Sequence, residues 1–83
     1  MDVMHSLSDL IRELFDQPGL EISAMTTAND VDGWDSLSHA MLIAAVESAF
    51  GISFSKKESM TIRTVGEMAS CISGKLAQGD KLP

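Results

Sequence analysis

Twice within a short stretch the chain places a hydroxyl residue three positions before a glutamate, at Ser55-Lys56-Lys57-Glu58 and again at Thr64-Val65-Gly66-Glu67. In such a quartet the hydroxyl accepts from the glutamate backbone N–H while the carboxylate reaches back, which is how a helix begins. Two starts this close together leave room for only a short helix between them. The second start leads into Val65, Met68, Ala69, Ile72 and Leu76, whose spacing predicts a longer last helix with one apolar face. Upstream, Val3, Leu7, Leu10, Ile11, Leu14 and Phe15 make a similar stripe behind Asp2, a good N-cap, and Pro18-Gly19 is expected to stop that helix. A third long helix is predicted from Ser36 to Phe50, with Gly51 as its breaker.

From Gly19 to Asp35 no period persists, and Thr, Asn, Asp and Gly dominate its latter half. The expectation is a long ordered loop anchored by Leu20 and Ile22, and loops of that length often have a task. The predicted architecture is all-α: a small four-helix bundle of three longer helices and one short one, with the long loop between helices one and two. With 83 residues there is room for one domain over 1–83, with an ordered core at about 3–76 and a frayed tail at 78–83.

Composition narrows the function. A chain this small buries only about 60% of its unfolded surface, so an enclosed catalytic cleft is hard to build. The net charge of −6 argues against nucleic-acid binding, which calls for clustered Lys and Arg. The charge is also uneven. Asp2, Asp9, Glu13, Asp16, Glu21, Asp30, Asp32 and Asp35 are opposed only by Arg12, whereas Glu47, Glu58, Glu67 and Asp80 face Lys56, Lys57, Arg63, Lys75 and Lys81. A basic partner would be steered to the first helix and the loop. The single cysteine, Cys71, offers neither a disulfide framework nor a CxxC pair and is expected to pack as a small apolar residue. No basic segment with an apolar run opens the chain and no apolar stretch reaches membrane-spanning length, so membrane insertion is not expected and a cytoplasmic location is.

The Ser36–Phe50 helix holds the most information. Leu42, Ile43, Val46, Ala49 and Phe50 gather on one side as its core stripe. Ser36, Leu37, Ala40, Met41, Ala44, Glu47 and Ser48 fall on the other, where a solvated helix would carry Glu and Lys. Leu37 and Met41 read either as ordinary exposed apolar residues or as a contact face beside Ser36. Ser36 reads either as a capping serine or as a displayed hydroxyl. Asp35 is the better-placed cap, which leaves Ser36 at the first helical position. An anionic group attached there would meet free backbone N–H groups and the positive end of the helix dipole.

The triplet Asp35-Ser36-Leu37, preceded by Gly33 and followed by Leu42, Val46 and Phe50, together with Ile62-Arg63-Thr64-Val65 before the last helix, resembles the acyl carrier proteins. The resemblance runs from about Leu7 to Leu76. It implies a non-catalytic carrier bearing 4′-phosphopantetheine on Ser36, placed there from coenzyme A and magnesium by a phosphopantetheinyl transferase, with acyl groups held as thioesters on the arm. It implies that Asp35 helps position the transferase's metal-bound substrate. It further implies that Leu37, Met41 and Ile62 meet acyl-loading, condensing and acyl-transfer enzymes. Leu42, Val46, Ile62 and Met68 read either as linings of a space that receives the acyl chain or as core alone.

Two departures point to a specialised, stand-alone carrier of polyketide or modified fatty-acid type. The helix after the serine keeps only Glu47 where fatty-acid carriers are rich in acids, and Trp34 stands directly before the triplet. Steering would then fall to Asp30, Asp32 and Asp35. A carrier of aminoacyl, peptidyl or D-alanyl groups using the same arm, and an unmodified acidic interaction module, remain as alternatives. A monomer is expected, since self-association through Leu37 and Met41 would block partners.

Other groupings carry less. Setting Gly33 as the invariant glycine of a calcium loop puts Ala28 and His39 at its ends, where carboxylates are needed, so no metal site is expected. Ser36 and His39 lie three apart, but no acid orients the histidine and no oxyanion donors accompany it, so no catalytic residue is assigned. A hydrogen bond from His39 to the preceding loop is the expectation. His5 is expected to be exposed without a partner.

Overall fold

The computed structural model describes residues 2–77; the tail expected to fray, from Gln78 to Pro83, lies outside the described residues. Helix α1 spans Val3–Leu14, α2 Ser36–Phe50, α3 Lys56–Thr61 and α4 Val65–Ala77, with a 3-10 turn at Ala28–Asp30 inside the long connection. There is no strand among the described residues, only an isolated antiparallel bridge between Thr27 and Thr64.

Asp2 caps α1 as expected, its carboxylate accepting from His5 N at 3.1 Å. The end of α1 comes earlier than Pro18-Gly19. Asp16 turns left-handed at φ 53°, its N–H donates to Glu13 O at 3.2 Å, and Gln17 N donates to Arg12 O at 2.9 Å. Those two bonds satisfy the last carbonyls in the manner of a glycine cap. Aspartate takes the glycine's place because its short polar side chain tolerates this backbone better than most. Pro18 and Gly19 follow the break and do not cause it.

The core joins three helices. Leu7 and Ile11 from α1, Leu42, Ile43 and Val46 from α2, and Val65, Met68 and Ile72 from α4 close around Ile52. Ile52 lies outside every helical period, so periodicity could not find it. Two expected core positions are corrected. Ala49 is exposed at the edge of a groove between α1 and α2, beside Leu10 and Phe50, where its methyl is too short to reach inward. Leu76 is 37% exposed in the last turn of α4. Glu47 is corrected as well: it is half-buried, and its Oε2 accepts from Phe54 N at 2.8 Å, holding the chain after Gly51. His5 is exposed, but its Nε2 lies 3.4 Å from Asp9 Oδ2 one turn on, so it has a partner.

Leu20 and Ile22 pack on the core as expected, but Val31, only 3% exposed, is the loop's most buried apolar residue. The loop also docks on the start of α4. Val65 N donates to Thr26 O and Gly66 N to Ala24 O, both at 2.9 Å. A Cβ on Gly66 would stand 2.7 Å from Ala24 O, so only glycine permits the approach. This docking fixes where the loop delivers Trp34 and Asp35.

Helix α3 is held differently, for none of its residues is buried. Both capping boxes form: Ser55 and Glu58 exchange bonds at 2.8 and 3.0 Å, and Thr64 and Glu67 exchange two at 3.1 Å. Glu58 Oε1 also lies 3.1 Å from Lys75 Nζ, which ties α3 to α4, and that ammonium stands 5.7 Å above the Phe54 ring. The Ser55 backbone N–H, and after it Lys75, hold the Glu58 carboxyl below its ordinary range.

Candidate functional site

Helix α2 begins where the docked loop ends. Asp35 Oδ1 accepts from Ser38 N at 2.9 Å, and that backbone N–H holds the Asp35 carboxyl below its ordinary range. Asp35 is therefore the cap, and Ser36 is the first helical residue. Ser38 Oγ donates to Gly33 O at 2.8 Å, and Gly33 has φ 87°, so the turn before the serine is pinned from both sides. Ser36 is exposed, and no hydrogen bond engages its Oγ among the described residues. Because the Asp35 carboxylate already occupies the Ser38 N–H, an anion on Ser36 would share the helix start with a fixed negative charge. The expected attraction of the helix terminus is correspondingly reduced.

Ser36 stands on the rim of an open groove of 540 Å³ between α2 and α3, lined by Ala28, Trp34, Asp35, Ser36, His39, Ala40, Ser59, Met60 and Ile62. Met60 on that rim is 72% exposed, and Leu37 and Met41 of α2 are 71% and 49% exposed. Leu37 and Met41 lie on α2 outside the groove lining, while Asp35 and Ile62, also singled out from the sequence, share the groove with Ser36. Leu42, Val46 and Met68 do not; all three are fully buried within the core, and Ile62 alone of that set reaches the groove. Cys71 is half-buried on α4, where burial pushes its thiol up from the ordinary value, as suits a small packing residue.

Sequence reasoning missed Met60, Ser59 and Ala28. The exposed methionine on a short polar helix was the available signal. It foresaw the His39 bond to the loop only in outline. Trp34 Nε1 donates to His39 Nδ1 at 3.2 Å, and the other ring nitrogen lies 2.9 Å from Ser59 O. An indole N–H can only donate, so Nδ1 is the acceptor and Nε2 carries the proton given to Ser59. The rings of Phe15, Trp34 and His39 stack in sequence, with centroids 5.6 and 6.1 Å apart. With both nitrogens engaged, His39 has none to offer as a base to Ser36.

An exposed, unengaged hydroxyl beside a groove with polar edges (Asp35, Ser59) and apolar walls (Ala40, Met60, Ile62) suits a long arm with amide and methylene parts. Comparison with known proteins agrees. A holo acyl carrier protein from Geobacter metallireducens, solved by solution NMR, is 35% identical; the match covers 95% of this chain and 91% of that one, with a TM-score of 0.87. The family described as phosphopantetheine attachment site matches residues 5–72. This chain belongs to the acyl carrier protein family.

Its helical fold is the carrier fold, and its prosthetic group is 4′-phosphopantetheine. Carriers of this family are not catalysts; they are served by phosphopantetheinyl transferases and acyl-processing enzymes. No curated protein matches the sequence. Among the described residues no helix of the carrier is long and apolar enough to cross a membrane.

Proposed function

We propose that Ser36 is the attachment point of the arm, and that the carrier shuttles acyl groups between enzymes of a specialised pathway of polyketide or modified fatty-acid type. The observation that carries the reading is the Ser36 hydroxyl: exposed, unengaged, and held at the start of α2 by a cap that another residue supplies. In the transfer, Ser36 Oγ bonds to the pantetheine-side phosphorus of coenzyme A. The pyrophosphate linkage breaks, adenosine 3′,5′-bisphosphate leaves, and the hydroxyl proton passes to the transferase. The arm's terminal thiol then holds the load as a thioester.

Asp35 would help position the transferase's metal-bound substrate, and Leu37, Met41 and Ile62 would meet partner enzymes. Glu47 is the only acid of α2 and is turned onto Phe54 N, so this helix offers partners an apolar surface with no free carboxylate. That favours a dedicated partner set, with Asp30, Asp32 and Asp35 steering the approach. The carrier would work as a cytoplasmic monomer, because partners need the Leu37 and Met41 face.

Intact mass tests the attachment. Incubated with coenzyme A, magnesium and a permissive transferase, the chain should gain one phosphopantetheine, and Ser36→Ala should gain none. Equal gain by the variant would refute the assignment. Comparable elongation by central fatty-acid ketosynthases on this carrier and on a housekeeping one would refute the specialised pathway.

A further inference from the structure

The groove beside Ser36 stops short of the core. Leu42, Val46 and Met68 lie fully buried, while Ile62 and Ser59 of the α3 side stand over the groove. For a load to pass from the groove into the bundle, α3 must move away from α2. No residue of α3 itself is buried, and the apolar packing that resists the movement comes from Phe54 and Ile62 at its two ends. Two polar ties also resist it. Glu58 to Lys75 joins α3 to α4, and His39 to Ser59 joins it to α2 across the groove. Ser59 O lies near the C-terminal end of α3, and Arg63 N, which would have met it had the helix continued, donates instead to Glu67 Oε1 at 2.9 Å. The His39 N–H takes up that released carbonyl. Trp34, fixed against Phe15, fixes the ring in turn.

The geometry points to His39 as a latch: a positioning residue, oriented by Trp34, whose bond to Ser59 keeps α3 closed and so keeps the acyl load in the outer groove, out of the core. This inference rests on the carrier reading. It makes His39 a determinant of how long a load is left accessible to partner enzymes. Losing one hydrogen bond of ordinary net worth shifts an open–closed equilibrium about fivefold.

The test loads acetyl- and octanoyl-phosphopantetheine onto the wild-type carrier, His39→Ala, His39→Gln and Trp34→Phe, using a permissive transferase. The rate at which hydroxylamine cleaves each thioester is then measured. Wild type should release both loads alike. His39→Ala should release octanoyl about twofold more slowly, which is what a fivefold shift gives from a mostly closed wild type, because the chain now shelters in the bundle, with acetyl unchanged. His39→Gln, whose amide can still donate to Ser59, should restore the wild-type rate. Trp34→Phe keeps the stacked ring but frees the imidazole, and should slow octanoyl release by a smaller factor; it carries the test should His39→Ala not fold. Unchanged octanoyl release in these variants, or slowing that acetyl shares, overturns the latch. If the wild type gains no mass at all, it is the carrier reading that fails, and the latch with it.

Discussion

The three long helices and the short one are held by different forces. Where α1, α2 and α4 meet, fully buried Leu7, Ile11, Leu42, Val46, Met68 and Ile72 exclude water, and each contributes through apolar area. Helix α3 has no buried residue of its own and depends on a capping box, an ion pair and one histidine, with Phe54 and Ile62 packed on the core at its two ends. Apolar packing is lost only when the helices separate, whereas polar ties can be released one at a time with the bundle intact. Ser36 sits on the rigid side of that division, at the start of α2, and the groove it faces is closed by the other. With this division, a group carried on Ser36 would be held still while the wall beside it yields.

The comparison can be broken from either side. Leu42→Ala should cost about 2–5 kcal/mol in urea unfolding, because it leaves a cavity where three helices meet. A loss well under 1 kcal/mol would mean that the core collapses around the gap. Gly66→Ala forces a methyl against Ala24 O and should cost about 1–3 kcal/mol, with the loop amides near Thr26 exchanging faster. Glu58→Ala removes a cap and the tie to Lys75. It should cost about 1 kcal/mol globally and speed amide exchange in α3 far more than in α2. Equal speeding in both helices would show that α3 is no separate unit.

Acid should also reach the polar ties before the core. The folded Glu58 and Asp35 carboxyls lie below their ordinary values of 4.5 and 3.8, so what they contribute is fully present above those values. It is lost as pH falls through the folded values. Exchange in α3 and at the start of α2 should therefore rise below about pH 4 while Leu42 and Ile72 stay protected. The smallest effect is expected at Asp16, where glycine should raise stability by a few tenths to about 1 kcal/mol by relieving the left-handed backbone.

What could be read from the sequence was local. The Ser55 and Thr64 boxes, the Asp35 cap and the Gly51 stop each depend on residues within one turn, and the structure has all four. The position of Ser36 followed from the Asp35 cap. The misses have a common cause. Ile52 and Val31 buried outside any period, Glu47 turned onto Phe54, and the Trp34–His39–Ser59 relay depend on how separate segments meet. Ala49 failed for a finer reason: the wheel placed it on the core side, but its side chain is too short to reach in from the edge. Gly66 stood in plain view inside a capping box, and only the approach of Ala24 explains why it is glycine.

Peptide mapping after treatment with coenzyme A, magnesium and a transferase addresses the site most directly. The account predicts the phosphopantetheine mass on the fragment containing Gly33 to Phe50, with fragmentation placing it on Ser36. The same mass on another serine or threonine, or an unmodified chain where a control carrier is fully converted, would contradict it.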